Sequence, residues 1–340
     1  MNRGTLRALV KSGAGGALNL TDAQVNVLID QAVRSIAALL TPDRAPRLVK
    51  RSSLNFALNR NTGFEITDGT DADGWVRSGN CAIDNTIANT GTYSAKFVTD
   101  ATGLLVSELI PLVPAKTYSW KMYARHPVGL DQPLTFGLRL YGADQQQVNS
   151  SLAALTITST SFTEVVGSSS FVPAATELWG RIEVDMGTFA NQVNIDDVRL
   201  TCAGQARLPD DALGLPAMIY IDDIPARVVT PEQTHELTQN TNVFLAGTTA
   251  SPLVALEGAI VRYSPTAAVK VEALYIVNPP SLVTDGSEPM IPVDLHDMIM
   301  PNVAYWGALA NGQYEEASRH YAAFGAMAQR AGLQVLPPTR

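Results

Sequence analysis

Seven side chains in the middle of this 340-residue chain could together grip a sugar. Tyr123, Tyr141 and Trp179 offer flat apolar surfaces, and Arg125, Arg139, Arg181 and Glu183 offer planar polar groups. A pyranose needs the first kind to stack on and the second kind for its hydroxyls. All seven fall on alternate positions of "KTYSWKMYAR", "LTFGLRLY" and "LWGRIEVDM", so a strand reading places them on one outward face. Trp, Tyr and Arg are also enriched where subunits pack together, and that use of the face is the one favoured here.

The remaining chemistry-bearing residues point to little. Carboxylate pairs occur at Asp210/Asp211, Asp222/Asp223 and Glu315/Glu316. The second pair falls in an expected turn and the third in the first turn of an expected helix, ordinary places for acids. His126, His235, His296 and His320 lie far apart, and no nucleophile motif, zinc spacing or phosphate loop accompanies them. Cys81 and Cys202 read as buried thiols, although a disulfide between them stays open. No catalytic residue is therefore assigned and an enzyme is not expected. A formal charge of −8, a pI near 5.0 and no Lys/Arg run longer than two argue against a groove that reads nucleic acid. The N-terminal apolar run is too short for a signal peptide, and no stretch is long enough for a membrane span, so folding in a cytoplasm is expected.

The elements that must position these residues change period along the chain. In "LTDAQVNVLIDQAVRSIAALL", Thr21 or Asp22 can cap a helix whose apolar residues Val25, Leu28, Ile29, Ala32, Val33, Ile36 and Leu40 recur at helical spacing. "TPDRAP" stops it. From about Leu48 to Cys202 the period is two, with turn residues between short runs, which predicts an antiparallel two-sheet sandwich. Its inward residues are Tyr118, Trp120, Met122, Ala124, Phe136, Leu138, Leu140, Ile182, Val184, Val193 and Ile195, with Trp75 also in the core. Further on, "AIVRYSPTAAVKVEALYIV" reads as a hairpin turning at Ser264 to Thr266. One helix then runs to Asn311 or Gly312 with Pro301 available to kink it, and a second starts near Tyr314 and ends by Gly332. Trp306 is expected between these helices, and "GLQVLPPTR" reads as an extended arm reaching a neighbour.

With the sandwich set aside, the flanks resemble head-to-tail adaptor (connector) proteins of tailed bacteriophages. The resemblance is carried by "LTDAQVNVLIDQAVRSIAALL", "LPDDALGLPAMIYIDDIPARVV", "GAIVRYSPTA", "VEALYIVNPPSLVTDGSEPMIPVDLHDMIMPNVAYWGAL" and "EEASRHYAAFGAMAQR". It implies a virion protein, a homo-oligomeric ring of about twelve copies between portal protein and tail nozzle protein, through which DNA passes without sequence recognition. Tail fibres are a further partner and no membrane is involved. The fold class expected is multidomain α+β: a helical adaptor body with a small β-region, plus an inserted antiparallel β-sandwich. The divisions are 1–46 for N-terminal helices, 47–203 for the insertion, and 204–340 for the β-region and helical hairpin.

The inserted segment is similar to jelly-roll carbohydrate-binding modules, through "NRNTGFEITDGTDADGW", "TGTYSAKF", "LIPLVPAKTYSWKMYAR" and "IDDVRL" in that order. That resemblance implies affinity for cell-surface glycans, and a structural calcium held by Glu65 and Asp197; no cofactor is required. The alternative for the acids is that Asp196 and Asp197 cap a turn or bind backbone at the strand's edge. Of three readings, the structural adaptor with a peripheral jelly roll is preferred to a glycan-binding attachment protein of the tail. A glycoside hydrolase is set aside, since neither flank is large enough for its paired carboxylates.

Overall fold

The computed structural model describes the chain except residues 13–19, 68–70, 99–101, 130, 167–169, 188–191, 230–246, 269 and 334–340. Most of the expected C-terminal arm, from residue 334 on, therefore lies outside the described residues. Antiparallel sheet dominates, with 39% of residues in strands against 21% in helices. The chain as a whole is thus mostly antiparallel sheet, and its helices Arg3–Ser12, Asp22–Ala37, Ile299–Ala310 and Tyr314–Arg330 lie in the flanks. The chain forms two compact units. One comprises Met1–Ser53, Asp211–Ile219 and Glu272–Arg340; the other comprises Leu54–Asp210 and Tyr220–Val271.

In the first unit, helix Arg3–Ser12 is followed by helix Asp22–Ala37. Thr21 caps the second as a full capping box: its hydroxyl accepts from the Gln24 amide at 3.3 Å, and the Gln24 side chain accepts from the Thr21 amide at 2.9 Å. Val25, Ile29, Val33 and Ile36 are buried against Leu6, Ile291, Leu295, Ile299 and Phe324. Each such side chain contributes roughly 1.5–3 kcal/mol. The predicted long C-terminal helix divides into a 3-10 turn, Val293–Met298, and an α-helix, Ile299–Ala310. Pro301 is the third residue of the α-helix and so sits in its first turn, where proline is tolerated, and not in its middle. Helix Tyr314–Arg330 returns beside it. Tyr305 lies 5.0 Å from Trp306 and 5.1 Å from Tyr321, ring centre to ring centre, so Trp306 joins an aromatic cluster shared by the two helices. Strand Val49–Ser53 pairs antiparallel with Val271–Val277, from Val49 opposite Ile276 to Ser53 opposite Glu272.

The second unit holds a sandwich of a five-stranded and a six-stranded antiparallel sheet. In strand order, the five-stranded sheet is Thr163–Val166, Tyr118–Arg125, Val193–Cys202, Ser94–Phe97 and Cys81–Asp84. The six-stranded sheet runs Trp75–Gly79, Gly103–Ser107, Trp179–Asp185, Gln132–Tyr141 and Gln147–Ile157, with Ile110–Pro111 pairing the third of these. Every residue predicted to face inward is buried in one core, including Trp75 and Trp120. Cys81 and Cys202 are separate buried thiols, and burial pushes them up to about 12 and about 11.

A smaller sheet in the same unit orders Gln205–Arg207, Ile260–Ser264, Leu253–Glu257 and Arg227–Val228. Here the expected hairpin is corrected. Ile260–Ser264 turns back on Leu253–Glu257 through Gly258, at φ +59°, while Val271–Val277 pairs with Val49–Ser53. The two runs either side of Ser264–Thr266 belong to different sheets, the first pairing with the strand just before it and the second with Val49–Ser53. Division into units also differs from the boundaries at 46/47 and 203/204. Residues 204–210 and 220–271 fall with the sandwich, and the strand Val49–Ser53 falls with the helices.

Candidate functional site

The outward face of the six-stranded sheet is built from two neighbouring strands. Trp179 stands opposite Tyr141, Arg181 opposite Arg139, and Glu183 opposite Gly137. Alternation sends Ile182 and Val184 into the core and these side chains outward. The Arg181 guanidinium carbon lies 5.7 Å from the Tyr141 ring centre, a cation–π distance. Arg139 forks onto Glu183, with one terminal nitrogen donating to Oε1 at 2.6 Å and Nε donating to Oε2. That pairing holds the Arg139 guanidinium still more firmly protonated than usual. Arg139 also donates to Gln147 Oε1 at 3.2 Å. Glu183 is only 2% exposed, so its charge is balanced by Arg139 at close range and not by water.

Tyr123 and Arg125 do not belong to this face, which corrects the expected seven-residue constellation. They lie on Tyr118–Arg125 in the five-stranded sheet, whose outward side is the opposite side of the sandwich. Period two tells inward from outward along one strand; it does not say which of two sheets the strand joins. Tyr123 there donates to Glu164 Oε2 at 3.0 Å, and Lys121 Nζ donates to the same oxygen at 2.7 Å. What remains together is Tyr141, Trp179 and Arg181 beside the Arg139–Glu183 pair. A neighbour missed in the sequence is Glu177, which is 5% exposed and accepts from Asn149 Nδ2 and from the Ala174 amide, each at 2.7 Å. It precedes the strand run, and nothing in its spacing marks it.

Glu65 and Asp197 do converge, on the loop of residues 89–93. Glu65 Oε1 accepts from the Thr92 and Tyr93 amides, both at 2.9 Å. Asp197 Oδ2 accepts from Asn89 Nδ2 at 2.9 Å and Thr90 Oγ1 at 3.0 Å, and its Oδ1 meets the Arg199 guanidinium at 3.1 Å. Asp196 Oδ2 accepts from the Asn89 amide at 2.7 Å and the Thr90 amide at 3.1 Å, and its Oδ1 accepts from the Asp197 amide at 2.7 Å. The strand is bulged here, between Asp196 and Arg199, with Asp197 at φ +49°. Gly91 suits glycine: at φ +67° a side chain would be strained, and a Cβ would lie 2.4 Å from Glu65 Oε1 and push that carboxylate off the loop.

Burial pushes the Asp196 carboxyl up to about 6 despite its three backbone donors. Burial works the same way on Asp197, but its bonds from Asn89, Thr90 and Arg199 outweigh it and hold that carboxyl below the usual range. Oxygen donors are the right chemistry for a hard cation. As arranged, however, these oxygens are taken by N–H and O–H donors and by a guanidinium. Among the described residues no group of three or more His, Cys, Asp or Glu side chains is placed to hold a metal. Glu65 and Asp197 thus clamp the loop of residues 89–93 through these hydrogen bonds.

The paired acids are engaged as well. Asp210 pairs with Arg60 at 3.2 Å, Asp211 with Lys50 at 2.8 Å, Asp223 with Lys270 at 3.1 Å, and Glu315 with Arg319 at 2.8 Å. Asp222 and Asp223 occupy a turn at φ +48° and +68°. Among the described residues no helix is long and apolar enough to cross a membrane.

Solved structures resembling the chain cover its sandwich-sized portion. A tailspike protein 4 enzymatically active domain of bacteriophage CBA120 is 10% identical with a TM-score of 0.36, covering 43% of this chain and 21% of its own. The chain thus spans about a fifth of that tailspike's length. The C-terminal family 22 carbohydrate-binding module of Clostridium thermocellum Xyn10B is 16% identical with a TM-score of 0.33, covering 42% of this chain and 91% of its own. The module TmCBM61, solved with β-1,4-galactotriose, is 18% identical with a TM-score of 0.32, covering 43% and 98%. No curated protein matches the chain. Residues 177–338, just under half of it, match the family model described as SU10 adaptor protein, which supports a structural adaptor role.

Proposed function

We propose that this protein is a head-to-tail adaptor of a tailed bacteriophage: a structural, non-catalytic virion protein that forms a ring of about twelve copies between portal and tail nozzle. The observation carrying this reading is the family match across residues 177–338, which takes in both C-terminal helices and the strand Val271–Val277. A net charge of −8 agrees with a channel past which DNA slides without sticking. The sandwich decorates the ring's periphery, where it meets tail fibres or surface glycans. Electron microscopy of the purified chain, alone and mixed with its portal ring, tests this. Rings or portal-bound collars carrying peripheral knobs are the expected image. A monomer or trimer that ignores the portal would overturn it, and density for the sandwich inside the lumen would overturn the peripheral placement.

A second reading, glycan attachment, is favoured by one observation: Tyr141, Trp179 and Arg181 stay half-buried and accessible on one sheet face. A glycan array with the intact chain and with Trp179→Ala separates the readings. Attachment requires a hit that the variant loses.

A further inference from the structure

An edge strand of a sheet leaves alternate backbone N–H and C=O groups without a ladder partner, and so offers a template for another chain. The two sandwich sheets have four such edges. Trp75–Gly79 is five residues long and carries Arg77, Cys81–Asp84 is four long and ends on Asp84, and Thr163–Val166 is four long and carries Glu164. Short length and a charged side chain are the usual protection against unwanted pairing. Gln147–Ile157 has neither: it is eleven residues long, with no charged residue and no proline.

Its pairing with Gln132–Tyr141 shifts register between Leu140 and Tyr141 and is regular from Asn149 to Ile157. The Ser150 N–H donates to the Asn149 side-chain oxygen at 2.8 Å, off the ladder. It therefore points away from Gln132–Tyr141, and by alternation so do the backbone groups of Leu152, Ala154 and Thr156. Among the described residues no backbone bond reaches this outer edge from any other segment. Ser150 and Ala154 are small and exposed and Leu152 is half-buried, so nothing bulky shields the edge from a second strand.

Such an edge is matched by an extended chain of equal length that brings no unpaired charge. Set antiparallel against itself, with Leu152 opposite Leu152, Gln147–Ile157 places Ser150 opposite Ala154 of the second copy and Ser151 opposite Ala153. Every cross-strand pair is then neutral, and side chains of one sheet face meet side chains of that same face. The sandwich's other edges match it poorly, each being less than half as long and charged. We infer that two copies of this chain join through Gln147–Ile157 about a two-fold axis, making one continuous sheet of their two six-stranded sheets. The contact needs two copies and not a ring, so it does not rest on the adaptor reading.

Cross-linking of the full chain tests it. Cys81 and Cys202 are buried, so the parent serves as the blank. Leu152→Cys sets two thiols across the two-fold with Cα atoms about 5.5 Å apart, inside disulfide range. Under mild oxidant it should give inter-chain dimers on a non-reducing gel, at no less than tenfold the yield of Val76→Cys, whose position is 65% exposed on the sheet's opposite edge. Ser150→Lys with Ala154→Lys, added to Leu152→Cys, opposes like charges across the contact and should cut the yield at least tenfold. Ser150→Glu with Ala154→Lys opposes unlike charges there and should retain it, with circular dichroism showing that both variants keep the parent's fold. A yield at 152 no greater than at 76, equal loss in both charged variants, or loss in neither would overturn the inference. Electron microscopy separates the two readings: rings without the 152 cross-link would remove this contact alone, and the cross-link without rings would remove only the adaptor.

Discussion

At the residue scale, two buried acids with opposite shifts make the loop clamp sensitive to pH. Asp196 is fully buried and its carboxyl is raised to about 6, so between about pH 4 and pH 6 the folded state holds a proton that the unfolded state has lost. Its contribution to stability is complete below the unfolded value and declines as pH rises through 6. Asp197, held low, contributes in the other sense: its stabilisation is present above the ordinary carboxylate range and is lost as pH falls. In Asp196→Asn the fall in stability from pH 4 to 6.5 should flatten. At pH 7 the variant should lose about 1–3 kcal/mol, since its amide N–H₂ must face either the Asp197 N–H or those of Asn89 and Thr90. Urea melts across that pH range check both, and an unchanged slope would remove Asp196 as the titrating group. On the sheet face, Arg139→Met strands Glu183 in a buried position and should cost about 3–5 kcal/mol. Arg139→Met with Glu183→Leu should recover most of that in a double-mutant cycle, which isolates the pair from the strands that carry it.

At the element scale, periodicity made the sandwich legible, and pairing between distant segments hid the rest. Tyr118, Trp120, Met122 and Ala124 face the core because alternation along one strand is a local rule. Tyr123 and Arg125 parted from Tyr141 and Trp179 because sheet membership is decided by partners far apart in sequence: Tyr118–Arg125 lies between Thr163–Val166 and Val193–Cys202. The clamp on residues 89–93 was half legible. Glu65 and Asp197 stood out as acids, whereas Asn89, Thr90 and Arg199 carry no pattern, and their role follows from the bulge at Asp197. The helix Asp22–Ala37 was readable at both levels, cap and stripe. Thr21→Ala should therefore cost about 0.5–2 kcal/mol, read as a lower midpoint in a denaturant melt followed by circular dichroism. A loss below that range would mean the capping box contributes nothing beyond the packed face.

At the scale of the whole molecule, the two compact units set where the chain can be cut. Excising 47–203, the boundaries read from sequence, removes Leu48, which is fully buried, and the strand Val49–Ser53 that covers one edge of Val271–Val277. An exposed strand edge beside a truncated core is a route to aggregation. Replacing 54–210 and 220–271 by short flexible linkers keeps that strand, the segment Asp211–Ile219 and all the helices together as one unit. Lys50 and Asp211 form an ion pair at 2.8 Å, so the ends near the first cut start close to one another and a short linker spans them. The two-linker chain should stay soluble, retain the helical circular dichroism of the parent and, on the adaptor reading, still form rings without peripheral knobs. The 47–203 deletion should aggregate. If the two-linker chain is folded yet makes no rings while the parent does, assembly contacts come from the sandwich unit, and the module would be part of the ring and not its decoration.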